Sequence, residues 1–119
     1  MGREYKYQLL LHIDSDDPRI LDRALGNANN FLKAMADQAT RLVIVVNGPG
    51  VKLITTKYPL QAQKASDITG RGASIMVCAN ALTANDIGNS ELWPGVEIVS
   101  SGIVEIVRLQ NEGMAYVKP

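Results

Sequence analysis

The sequence has one cysteine and one histidine, and its 12 basic residues are balanced by 12 acidic ones. Each scarcity excludes something. Cys78 alone cannot close a disulfide within the chain, so there is no secreted disulfide framework. His12 is the only histidine, and no His/Cys pair or second carboxylate cluster has metal-ligand spacing. No metal and no cofactor are assigned. Zero formal charge argues against a nucleic-acid groove, which needs a basic surplus, and against an anionic membrane surface. No apolar run is long enough to span a bilayer. The segment from Met1 to Lys6 has mixed charges and lacks a signal-peptide apolar region. Gly2 follows Met1, but Lys6 stands where a myristoylation signal carries Ser or Thr.

What is present suits one globular domain, residues 1–119, expected in the cytoplasm. The chain is 46% hydrophobic, enough for a sizeable core. Tyr5 to Ile13 reads as a strand, buried on both faces towards its end. Asp14-Ser15-Asp16-Asp17-Pro18 supplies helix-start chemistry, which accounts for the clustered acids. Ile20, Leu21, Ala24, Leu25, Ala28, Phe31, Leu32 and Met35 then form one helical stripe. Leu42 to Val46 suits a central parallel strand, ended by Asn47-Gly48-Pro49-Gly50. Val51 to Thr55 fits a short helical turn and Tyr58 to Ile68 a helix. Ala73 to Val77 is a third strand and Asn80 to Asn85 a short helix. Asp86 to Gly95 is a loop in which Trp93 needs a packing partner. Val96 to Val99 is a fourth strand, Ile103 to Glu112 a helix stopped at Gly113, and Ala115 to Val117 a last short strand. The alternation predicts an α/β fold of three layers, a mostly parallel sheet with helices on both faces. Ile103, Val104, Ile106, Val107 and Leu109 cover more than one face of the last helix. That helix is either deeply buried or packed on another subunit, and the second is favoured.

In such a sheet the carboxyl ends of the strands are neighbours, and chemistry gathers there. Cys78 follows the third strand at a helix start, where peptide dipoles favour a thiolate. A functional thiol there has to be accessible; the plain alternative is an inert buried hydrophobe. His12 fits a base, an orienter of the thiol, or a strand histidine with a satisfied imidazole, and the last is preferred. Asn47, Gly48 and Gly50 belong to a loop able to present N–H groups to an anion. The loop is neither a phosphate-binding lysine loop nor a dinucleotide fingerprint, and a plain turn is the simpler reading. Asn80 begins the short helix. Ser100 and Ser101 are most simply a helix cap, and neither lies in a nucleophile elbow.

Three segments carry a resemblance. They are Leu11-His12-Ile13-Asp14, the block Ile75-Met76-Val77-Cys78-Ala79-Asn80-Ala81-Leu82, and the ending from Val99 through Ser100-Ser101-Gly102-Ile103-Val104 to Ala115-Tyr116-Val117. With them the whole chain resembles the small single-domain DsrE/DsrF-like proteins, a group that includes sulfur-relay subunits. The resemblance implies a five-stranded, mostly parallel sheet and a homo-oligomer, a trimer or hexamer. In relay members the cysteine matching Cys78 accepts sulfane sulfur as a persulfide, and only that role carries over. It implies a possible sulfurtransferase with protein sulfur donors and acceptors as partners. The competing expectations are a small-molecule or anion-binding oligomeric module without thiol chemistry, using His12, Asn47, Gly48, Gly50, Asn80, Ser100 and Ser101, and an assembly subunit that only holds a partner.

Overall fold

The computed structural model describes residues 4–119; the readings at Met1 and Gly2 fall outside them. Five strands form one sheet: β1 (Tyr7–Ile13), β2 (Thr40–Val46), β3 (Ser74–Cys78), β4 (Glu97–Val99) and β5 (Ala115–Val117). The order is β4-β3-β2-β1-β5, and every pairing is parallel, so the sheet is wholly rather than mostly parallel. The helices are α1 (Pro18–Ala34), α2 (Pro59–Gly70), α3 (Ala79–Ala84) and α4 (Gly102–Asn111).

Strand alternation divides the core into two layers. Leu11, Ile13, Ile44, Val46, Ile75 and Val77 pack with Leu21, Ala24, Leu25 and Ala28 of α1, Ala65 and Ile68 of α2, and Ala81 and Leu82 of α3. Leu10, Val43, Val45 and Met76 point the other way and meet Ile106 and Leu109 of α4. From β1 to β4 the chain steps in one direction across the sheet, with α1, α2 and α3 on one face. From β4 to β5 it steps back, and a constant crossover hand requires α4 to lie on the opposite face.

The predicted start of α1 is present. Asp17 caps it by accepting from Arg19 N–H at 3.0 Å, and Pro18 takes the first helical position. Other boundaries moved by a few residues. β3 runs through Cys78, and α3 begins at Ala79 rather than Asn80. The turn expected at Val51 starts earlier, as a 3-10 helix over Gly48–Leu53, because Pro49 presets its backbone angle. The loop from Asp86 contains a 3-10 turn at Asn89–Glu91. Trp93 of that loop finds its partner in the segment before α2: it is buried, and its Nε1–H donates to Thr55 O at 2.8 Å. α4 begins one residue early, at Gly102. Among the described residues no helix is long and apolar enough to cross a membrane.

Candidate functional site

β3 and β4 are neighbours whose exits diverge. β3 leads into α3 on one face, and β4 leads through Ser100 and Ser101 into α4 on the other. Such a divergence opens a crevice at the carboxyl edge of a parallel sheet. Cys78 ends β3, paired with Val99 of β4, and so stands at that edge. One step beyond the Val46–Val77 pair, Asn47 lies beside it, and the Asn47 N–H extends the ladder onto Ile13 O at 3.0 Å.

Gly102, the first residue of α4, closes over both. A β-carbon added at Gly102 would lie 2.9 Å from Asn47 Cβ and 3.3 Å from Cys78 Cβ, so only glycine fits without displacement. The thiol is correspondingly buried, with Cys78 6% exposed. The accessible thiol that a carrier needs is not what the structure shows: Cys78 belongs to the buried core cluster that also holds residues of α1, α2 and α3. Cys78 is the cap residue of α3, but its side chain makes no capping hydrogen bond.

His12 lies on the α4 face one level below this row and is buried. Its Nε2 is 2.7 Å from Asn47 Oδ1, and its Nδ1 is 2.6 Å from Tyr116 Oη. The imidazole is thus satisfied on both sides, and neither nitrogen is left to act as a base towards Cys78. Tyr116 comes from β5, in register with Leu10, and reaches along the sheet to the ring. The sequence set Tyr116 in the family-like ending but not in the site, since its nearness to His12 follows from β5 pairing with β1. Gly102 was also missed as a site residue, although its place after two cap-forming serines was a usable signal.

The remaining candidates separate. Gly50 cannot offer a free donor, because its N–H is committed to Asn47 O at 3.2 Å and its Cα lies against the Ile13 carbonyl. Gly48 takes a positive φ of 54°, and its carbonyl accepts from Asn85 Nδ2 at 3.5 Å. Asn80 is exposed on α3. Ser101 caps α4, its Oγ accepting from Val104 N–H at 3.5 Å, and Ser100 is exposed before it. The structure therefore brings together Cys78, Asn47 and His12 and adds Gly102 and Tyr116. Beside them Asp14 pairs with Lys118 at 3.0 Å, which raises the Lys118 pKa through the hydrogen bond and the neighbouring charge. No group of three or more His, Cys, Asp or Glu side chains among the described residues is placed to hold a metal.

The family model of the DsrE/DsrF-like family matches residues 11–119. The chain belongs to the DsrE/DsrF-like family. It is similar to the protein of unknown function MTH1491 from Methanobacterium thermoautotrophicum, with 34% identity over 96% of this chain and 100% of that one, at a TM-score of 0.84. It shares its fold with the conserved protein of unknown function BT1422 from Bacteroides thetaiotaomicron, with 16% identity over 94% of each chain, at a TM-score of 0.65. Comparison with curated proteins finds no match.

Proposed function

We propose that this family member is a single-domain sulfur-relay protein, in which Cys78 accepts sulfane sulfur as a persulfide and passes it to an acceptor. The observation that supports the reading is the place of Cys78 at the carboxyl end of β3, beside β4, in a DsrE/DsrF-like chain. The Cys78 thiolate attacks the outer sulfur of a donor persulfide. A new S–S bond forms, the donor S–S bond breaks, and the electron pair leaves on the donor thiolate. Cys78 then carries S–SH. With no second cysteine in the chain, a nucleophile on another molecule attacks that outer sulfur and restores the thiolate. The exchange needs no external oxidant or reductant. Because Cys78 is buried, loading requires a local opening of the chain around it. Partners are a sulfur donor, an acceptor and further copies of the chain, as a trimer or hexamer in the cytoplasm.

Incubation with a sulfane-sulfur donor should add 32 Da, about one sulfur atom, to the intact wild-type mass. The addition should be lost on reduction and absent from Cys78→Ser. Equal masses in the two proteins would remove the carrier reading.

Burial of the thiol favours a second reading, a small-molecule or anion-binding module in which Cys78 is only a wall. A saturable rise in melting temperature with a phosphorylated metabolite, unchanged in Cys78→Ser, would support it.

A further inference from the structure

We propose that the amino edge of the sheet, at the end remote from Cys78, holds a binding site for a small aliphatic carboxylate, with Arg41 and Arg71 taking its headgroup and Leu32, Met35 and Ala36 its apolar chain. The site is independent of any chemistry at Cys78.

A cavity of about 480 Å³ lies where α1 gives way to β2 and α2 to β3, within the usual size of a small-molecule site. Arg41 is the second residue of β2, and Arg71 ends α2. Both line the cavity, and no Asp or Glu among the described residues does. Their partners stand outside the lining, or above its floor: Arg41 Nη1 donates to Glu112 at 2.7 Å, and Arg71 Nη2 donates to Asp67 at 2.6 Å and to Asn29 at 2.7 Å. Each guanidinium is thus held by one nitrogen, and its other N–H groups have no acceptor among the described residues. Those groups form a rigid fork that matches the two oxygens of a carboxylate. Side chains fixed beforehand also lose less freedom when a ligand arrives. A single negative charge suits the site better than a phosphate, because each arginine is already offset by one acid. The ends of α1 and α2 point the same way, since helix carbonyls oppose an anion. That opposition is reduced where turn N–H groups take up the carbonyls: Met35 donates to Phe31 O, Gly72 to Thr69 O and Ala73 to Ile68 O. Leu32 and Met35 are half-buried and Ala36 is exposed, so the lining keeps open apolar surface. Its side chains are aliphatic, and Met35 adapts its shape, which fits an alkyl chain.

Octanoate is the probe, titrated into the full chain and followed by ¹H–¹⁵N correlation spectra. Saturable shifts should centre on the amides of Leu32 to Arg41 and of Arg71 to Ser74. Acetate carries the headgroup alone and octanol the chain alone, and each should bind at least about tenfold more weakly than octanoate, the worth of a charge-assisted hydrogen bond or of a few buried methylenes. Arg71→Gln should weaken octanoate binding by about tenfold or more. Ala36→Glu leaves both arginine ion pairs in place and sets a negative charge in the exposed part of the lining. It should abolish saturation over the same range, while its own spectrum reports the retained fold. No saturation at millimolar octanoate overturns the proposal. So does equal binding of octanol, which would leave the arginines idle, and so does an unchanged affinity in either variant. Shifts confined to Ile103, Val104 and Val107 would put the probe on the exposed face of α4 and overturn it as well.

Discussion

A methyl group at position 102 has no room. It would meet the β-carbons of Asn47 and Cys78, atoms fixed to the backbone at two strand ends, so neither can swing aside. Gly102→Ala should cost about 1–3 kcal/mol, the usual range for overpacking, read as a fall in the urea midpoint with an unchanged slope. It should also speed alkylation of Cys78 by lifting the start of α4. A slower or equal rate would mean that Gly102 does not cover the thiol. Other residue identities at the site could be picked out along the chain. Cys78 and His12 are unique, and Asn47 ends an apolar run. Their partners could not be. Tyr116 meets His12 across 104 positions of sequence, and no local pattern encodes such a contact.

The elements were more legible. Apolar residues at helical spacing fall on the buried face of α1, where Leu21, Ala24, Leu25 and Ala28 meet the sheet. Ends were less so: α4 begins at Gly102 rather than Ile103, directly after its expected cap Ser101, and α3 begins at Ala79 rather than Asn80, directly after Cys78. At the other end of α4, Glu112 stands at a helix C-terminus, where a negative charge is unfavourable. It is held there by Arg41 at 2.7 Å and Arg108 at 2.5 Å. The Arg41 hydrogen bond and the two positive charges hold its carboxyl below the ordinary value. A depressed folded pKa contributes stability above the unfolded pKa, and that stability is lost as pH falls through the folded one. Glu112→Gln should therefore lose less stability than the wild type between about pH 6 and about pH 3, where carboxylates titrate. The difference should be small, since the pair is exposed. Urea denaturation at the two pH values measures it; equal losses would show that the pair contributes nothing.

At the scale of the molecule, α4 has two apolar faces. Ile106 and Leu109 pack on the sheet, while Ile103, Val104 and Val107 are 59%, 58% and 53% exposed. The sequence reading offered deep burial or an outward face. The structure leaves one face outward, because among the described residues α4 alone packs on this side of the sheet. Within the proposal, copies of the chain meet there. Val104→Glu should then lower the mass measured by sedimentation equilibrium at micromolar concentration, while the far-ultraviolet spectrum is retained. An unchanged mass would place any self-association elsewhere.

Local chemistry, legible in the chain itself, determined where helices and strands form: alternation marks a strand, a 3.6-residue period marks a helix, and Asp17 or Ser101 marks a start. It determined the α/β class as well. Strand order was decided only in three dimensions. The return of β5 to the far side of β1 puts Tyr116 against His12, and the opposite exits of β3 and β4 put Cys78 beneath Gly102. Both depend on pairings between segments distant in sequence, whose geometry is set by burying two faces of one sheet at once, and no short window of residues contains that constraint.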